Sequence, residues 1–362
     1  MWDRESPELR WAGGRQPRPR RAASTKAVEE ALLRLERPVD GVGRRPYRGS
    51  GENVKPILCA FDGSDASEEA LKQADALARA DGTRLCILRV LPNVLRHHPL
   101  FPNLYPDEYR ALGEREAREG ELVSERVAGL TGRPPEDFDV EVDTGTPYAA
   151  IVRRGEELDA AVVVVGGRRP DAVGRHVLGD TAERVVRYAN GPVLVARPGS
   201  GTGRVLAATD LSDPSLPAVA AAAEWARRNG SRLAVLHVID LRAPTVLYAF
   251  DSPLAAAEAP PGFRDKLRLW AASRIADALK GSGVDADQLV EQGVPETVIL
   301  AQARSLAADL IVIGTSGQTG LARVLLGSVA EAVVRSAPCS VLVVRLRHQG
   351  ESHDRNEIRE SP

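Results

Sequence analysis

Cysteine is scarce in this chain. Three occur, Cys59, Cys86 and Cys339, an odd and sparse count that excludes a disulfide framework and fits a reducing cytoplasm. Cys59 and Cys86 sit inside apolar, strand-like runs, where small buried hydrophobes are expected. Long apolar runs are missing too. The longest, Ala160 to Gly166, has strand length, far short of the roughly 20 residues that span a bilayer. The arginines near the start are followed by no apolar segment, so no secretory signal is expected. A net charge of −2 gives no global reason to expect nucleic acid as a partner. There is no Gly-x4-Gly-Lys-Ser/Thr loop, and the Gly-x-Gly of the stretch from Arg197 to Gly203 precedes a strand, whereas a dinucleotide fingerprint follows one. No Ser/His/Asp order, metal-ligand cluster or loop-bound carboxylate pair occurs. No catalytic residue and no metal site are therefore assigned; the adjacent His97 and His98 lack ligand spacing.

What the 362 residues do contain is one unit written twice. Phe61-Asp62-Gly63-Ser64-Asp65 returns as Thr209-Asp210-Leu211-Ser212-Asp213. Gly145-Thr146-Pro147 returns as Gly293-Val294-Pro295, Val165-Gly166 as Ile313-Gly314, and Gly179 as Gly327, every pair 148 residues apart. A constant offset this long is a domain duplication, not a solenoid. The expected divisions are a basic tail over 1–53, domain one over 54–198, domain two over 203–347 and a polar tail over 348–362. Over residues 1–50 there are 12 basic and 7 acidic side chains, and one stretch, Lys26 to Arg37, has helical amphipathicity. The composition of that tail reads as disorder.

Each copy alternates strands and helices. The expected strands are 56–61, 85–91, 138–143, 161–166 and 192–197, then 204–209, 232–239, 287–291, 309–314 and 340–345. Runs such as Val162-Val163-Val164-Val165 are apolar throughout, as strands are when helices cover both faces. The fold class is α/β: two tandem, doubly wound, parallel five-stranded sheets with right-handed crossovers. Ligands on such sheets sit beyond the carboxyl ends of the strands, where the strand order reverses.

The most informative segment lies there in copy two. The run Asp309 to Ile313 is followed by Gly314-Thr315-Ser316-Gly317, nine residues, then Gly327-Ser328-Val329 opening an amphipathic helix. Strand, glycine loop and helix N-terminus in that order make a phosphate site, because free N–H groups and the positive end of the helix dipole meet there. The Ser328 hydroxyl adds a donor. Arg323, within the loop, reads equally as a phosphate contact or a solvated charge.

The pattern Gly-x2-Gly-x9-Gly-Ser resembles the nucleotide-binding signature of the universal stress protein family, and the resemblance runs through both copies, from about residue 55 to 346. It implies the family's adenine-nucleotide α-hydrolase-like fold, with ATP, with or without Mg, as the ligand. The motif Ala207-Ala208-Thr209-Asp210-Leu211-Ser212 resembles the family's first strand and turn, where an acidic residue contacts adenine. Carried over, that residue is Asp210, with Asp62 its counterpart; read from the residues alone, Asp210 caps the next turn, and the two roles can coexist. His237-Val238-Ile239 resembles the adenine-side wall and places Val238 against the base; His237 is given no role. The nucleotide set implied is Ala208, Thr209, Asp210, Val238, Ile313, Gly314, Thr315, Gly317, Gly327, Ser328 and Val329.

Copy one departs from the signature. It reads Gly166-Gly167-Arg168-Arg169, then Gly179-Asp180, so Arg169 replaces the second glycine and Asp180 the serine. A carboxylate there competes with phosphate for the same donors. Two charges about 4 Å apart interact by roughly 4 kcal/mol at an effective dielectric near 20. Arg168, Arg169 and Arg175 stand near enough in sequence to neutralise it, and Asp180 also reads as a helix N-cap. Copy one is expected to be weak or silent.

The leading expectation is a nucleotide-dependent regulatory module with at most slow ATP hydrolysis. The alternatives are an enzyme of the wider adenine-nucleotide α/β group, of which Asp62-Gly63-Ser64-Asp65 is a faint echo, and a scaffold with vestigial sites. The short apolar final strands of the two copies are expected to pair antiparallel across a pseudo-two-fold, which the resemblance also implies. A homodimer is compatible with this.

Overall fold

The computed structural model describes residues 55–92, 105–167, 178–240, 262–315 and 326–345. All of them belong to one compact unit, Arg44–Pro362. The tails at 1–53 and 348–362, the stretch Lys26 to Arg37, His97, His98, Arg168, Arg169, Arg175, Ser316, Gly317 and Arg323 lie outside the described residues.

Copy one runs β1 (Ile57–Ala60), α1 (Asp65–Asp81), β2 (Leu85–Leu91), α2 (Pro106–Thr131), β3 (Phe138–Thr144), α3 (Pro147–Glu157), β4 (Val162–Gly166), α4 (Asp180–Tyr188) and β5 (Val193–Ala196). Copy two repeats it: β6 (Arg204–Thr209), α5 (Leu216–Asn229), β7 (Arg232–Ile239), α6 (Phe263–Leu279), β8 (Ala286–Gln292), α7 (Pro295–Ser305), β9 (Leu310–Gly314), α8 (Ser328–Ser336) and β10 (Ser340–Val344). The ten strands form one sheet in the order β3-β2-β1-β4-β5-β10-β9-β6-β7-β8. Within each copy every pairing is parallel. The order reverses between β1 and β4 and again between β6 and β9, which opens a crevice at the carboxyl end of each pair.

Helices cover both faces. Ala70, Leu71, Val127, Ala222 and Ile275, from α1, α2, α5 and α6, pack on one side of the sheet. Ile151, Val185, Ile299 and Val333, from α3, α4, α7 and α8, pack on the other. Burial of both faces explains why the central strands are apolar at consecutive positions rather than alternating.

The one antiparallel pairing among the described strands joins the copies. Val341, Leu342 and Val343 of β10 face Val195, Leu194 and Val193 of β5. Side chains there are closed to solvent, Leu194 completely. Two pairs related by the repeat also cross the seam: Arg187–Glu331 at 3.6 Å and Arg335–Glu183 at 3.3 Å. The seam has a second layer. Arg197, which follows β5, sends its guanidinium to the carbonyls of Val334 (2.6 Å) and Cys339 (3.4 Å) in copy two. Arg345, which follows β10, reaches the carbonyls of Val186 (3.4 Å) and Arg187 (3.1 Å) in copy one. Each copy therefore places an arginine on the last turn of a helix in the other, where the dipole favours a cation.

The linker after β5 is anchored to the chain itself. The amides of Gly201 and Gly203 each donate to the Asp309 carboxylate at 2.7 Å, and the Thr202 hydroxyl adds a bond at 3.2 Å. Burial raises the Asp309 carboxyl, and these donors outweigh it, holding the group below its usual range.

Candidate nucleotide site

In copy two the crevice is built from the ends of β6, β7 and β9 and the start of α8. Ala208 lies beside Ile313 in the parallel register of β6 and β9, and both are buried. Val238 and Val329 are half-buried against the same face of the sheet. These four side chains form an apolar floor. Thr209 is turned to the other side: its hydroxyl meets the Ser215 hydroxyl at 2.7 Å and accepts the Leu211 amide at 3.0 Å. Asp210 makes the expected turn, its Oδ1 accepting from the Ser212 amide at 3.0 Å and the Ser212 hydroxyl at 2.5 Å. Asp62 does the same in copy one, accepting from the Ser64 amide at 2.9 Å. Burial pushes the Asp62 carboxyl up, but bonds from Ser64 and Ser67 with the Arg89 charge leave it below the usual range.

The turn after β6 contains a feature the sequence did not announce. Leu211 has φ 62°, a left-handed conformation that costs a branched-chain residue about 1 kcal/mol or more. Its side chain is 3% exposed, and burying a leucine stabilises by about 2 kcal/mol, enough to hold the strained backbone. The counterpart in copy one is Gly63, with φ 82°.

The glycine loop is closed by a backbone bond. The Thr315 amide donates to Val344 at 3.2 Å, and the Thr315 carbonyl accepts the Gly327 amide at 2.9 Å. The approach is tight, since a Cβ on Gly327 would stand 3.2 Å from the Thr315 oxygen. Gly314 forms the last register pair of β9, with Val344. Gly327 is the N-cap of α8, with no side-chain cap bond, and Ser328 is the first helical residue, exposed to solvent. The structure thus gathers Ala208, Ile313, Val238 and Val329 on one face, and Gly314, Thr315, Gly327 and Ser328 at the strand–helix junction. Gly317 lies outside the described residues.

Copy one has the same junction with different chemistry. The Gly167 amide donates to Ala196 at 2.8 Å. A Cβ on Gly166 would lie 2.6 Å from the Ala66 carbonyl, so β4 and the start of α1 touch through this glycine. The expectation that Asp180 serves as N-cap is corrected. Gly179 is the N-cap of α4, and Asp180 is the first helical residue, with its side chain 80% exposed. The reason is that Gly179 already has the extended φ −68° and ψ 145° of a cap, so the carboxylate falls one residue inside the helix and projects outward. Its partner there is Arg184, at 3.1 Å, one turn on; among the described residues this cation, unforeseen from the sequence, meets the carboxylate. Arg184 also lies 5.1 Å from the Tyr148 ring centre.

A second difference is at the end of the second strand. Arg89 bonds Glu119 at 2.9 Å and the Asp62 carbonyl at 2.7 Å. Its counterpart His237 is buried and bonds the Thr209 carbonyl through Nδ1 at 3.0 Å. Burial holds the His237 imidazole below its usual value, partly opposed by the Thr209 carbonyl and Asp210. Comparison of positions 148 apart would have exposed the exchange. All three cysteines are buried and free, and burial pushes their thiols up, Cys86 and Cys339 to about 12. Such thiols stay protonated and unreactive.

Residues 53–197 and 201–345 each match the universal stress protein family, copy by copy. The chain belongs to that family. A universal stress protein of Mycolicibacterium smegmatis is 30% identical over 301 residues, a span that takes in 80% of this chain and 97% of that one. A putative universal stress protein of Staphylococcus epidermidis is 35% identical over 149 residues, 41% of this chain and 86% of its own length. Among solved structures, a universal stress protein from Archaeoglobus fulgidus superposes with a TM-score of 0.56 at 22% identity, over 81% of this chain and 98% of that one. At that identity the likeness speaks for the fold. No helix among the described residues is long and apolar enough to cross a membrane.

Proposed function

We propose that this universal stress protein holds one adenine nucleotide, ATP, in copy two and uses it as a regulatory ligand. The observation that carries the reading is the closed loop at Thr315 and Gly327, which delivers the uncapped start of α8 beside the apolar floor of Ala208, Ile313 and Val238. Adenine would lie on the floor near Val238 and Asp210. The phosphates would take the amides at Ser328 and Val329, the Ser328 hydroxyl and the loop through Gly317, while the Gly327 amide keeps its bond to Thr315. Unpaired helix-end amides favour an anion by both hydrogen bonding and dipole. Mg would travel with the phosphates and neutralise part of their charge. No side chain is assigned as a base, so the chain acts in the cytoplasm as a binding regulator rather than an enzyme, with turnover slow if present. Copy one, with Asp180 and Arg184 at the phosphate position, acts as its structural counterpart.

Calorimetric titration of the full chain with Mg-ATP, followed by a turnover assay, tests this. The expected result is one tight site per chain and negligible turnover. Gly317→Arg should weaken binding well over tenfold by filling the space where backbone meets ribose and phosphate; unchanged affinity in that variant removes the assignment. Fast turnover would instead favour an enzyme, and absence of binding a scaffold.

A further inference from the structure

The seam arginines are not equivalent. Arg197 is 2% exposed. Among the described residues no carboxylate pairs with it, and its Nε is buried without a partner. Burial lowers its guanidinium to about 10, so the group stays charged at neutral pH. An unpaired buried cation is costly unless its contacts are well placed. The head group is spent on the carbonyls of Val334 and Cys339, at the end of α8 and just beyond it. The stem is spent elsewhere. A Cβ on Gly167 would lie 2.9 Å from the Arg197 Cγ, 3.0 Å from Val195 and 3.1 Å from the Ala196 carbonyl. Gly167 is the first residue beyond β4, at the position that Thr315 occupies in copy two. One side chain therefore touches the start of the glycine loop in copy one and the final turn of the helix whose first residues form the phosphate position in copy two. That helix has nine residues, two and a half turns of continuous hydrogen-bonded backbone between the two contacts.

We infer that Arg197 is a positioning residue that couples the start of the copy-one loop to the nucleotide position of copy two. This rests on the reading of copy two as the nucleotide site. Copy one, whatever its own affinity, would then set the affinity of copy two through α8. The reverse contact differs: Arg345 is half-buried and reaches α4, whose start bears Asp180.

The test uses the full chain and Mg-ATP. Arg197→Met keeps much of the stem and removes the charge. Gly167→Ala leaves Arg197 in place but pushes on its stem from a position in copy one. Each should weaken ATP binding about threefold to tenfold. The double variant should be no weaker than the worse single, because both changes break one connection. Arg197→Lys should recover part of the loss, and Arg345→Met should leave the affinity within about twofold, which a general loosening of the seam would not. Unchanged affinity in the two single variants, or equal weakening by Arg345→Met, overturns the inference. Hydrogen exchange in nucleotide-free protein separates its failure from that of the nucleotide reading. Amides from Glu331 to Ser336 should exchange faster in Arg197→Met and Gly167→Ala. If the parent binds no ATP, the nucleotide reading fails while this connection is still tested; unchanged exchange overturns the connection by itself.

Discussion

Copy one and copy two share a backbone and differ in charge. Asp159 and Ala307, 148 residues apart, both have φ 46°. Gly63 and Leu211 both enter the left-handed region, although only one is glycine. The helix caps at Gly179 and Gly327 agree within 7° in φ and 2° in ψ (−68° and 145° against −61° and 147°). The rim of the crevice is another matter. Copy one carries Arg89, Glu119, Asp180 and Arg184, tied into ion pairs. The matching positions in copy two are His237, Leu267, Ser328 and Ala332. Duplication kept the scaffold, and charged side chains stand at these four rim positions in one copy where uncharged ones and a histidine stand in the other.

The comparison breaks hardest at position 328. Ser328→Asp should silence copy two, with ATP affinity falling well over tenfold by calorimetry, because a carboxylate at the helix start repels phosphate. The fold should survive, since an acidic residue in a first helical turn is favourable, as Asp180 in α4 illustrates. The opposite exchange, Asp180→Ser with Arg169→Gly, should create or strengthen a second site, seen as a stoichiometry rising toward two. Two equal, tight sites in the parent protein would refute the charge argument and mean that a nearby arginine neutralises Asp180.

Smaller effects sharpen the comparison of backbones. Gly63→Ala should cost about 1 kcal/mol in unfolding free energy by denaturant titration, because the left-handed φ is strained for any side chain. Nothing lies within 4 Å of the added Cβ, so no clash contributes. An unchanged midpoint would mean that the turn relaxes, and that Leu211 is unstrained as well.

The smallest expected effect concerns His237, where copy one has Arg89. With its folded value lowered by burial, the unfolded chain takes up the proton first as pH falls. Stability is whole above the ordinary histidine value of 6.5 and is lost as pH drops from there toward the folded value. The melting temperature should therefore fall between pH 7 and pH 5 by less in His237→Gln than in the parent. Equal falls would show that His237 does not drive this acid limb.

Much of the fold could be read before any coordinates. The expected ranges of all ten strands fall within a residue of those observed. For the central strands the signal is a continuous apolar run, because they are buried on two faces, whereas β3 and β8 at the ends of the sheet carry polar residues and are only partly buried. The β5–β10 pairing was legible because two short apolar edges had nothing else to cover them. The junction at Gly314, Thr315, Gly327 and Ser328 was legible because local spacing sets it. Arg197, Arg184 and Leu211 were not. An arginine after a strand looks like a surface charge until the other copy's helix is packed over it, and a left-handed leucine has no local signal at all. The Asp180 cap failed for a related reason: composition gave the helix end but not which of two adjacent residues held the extended ψ.

The antiparallel seam also has a consequence for mass action. Two separate single-domain chains joined this way would part on dilution and could exchange partners with any relative bearing a similar edge. Here both edges belong to one polypeptide, so the second strand is present at a fixed, high effective concentration regardless of how much protein the cell contains. Pairing becomes independent of expression level. The two halves are then free to diverge, because neither can be paired with a copy of itself in its own seam.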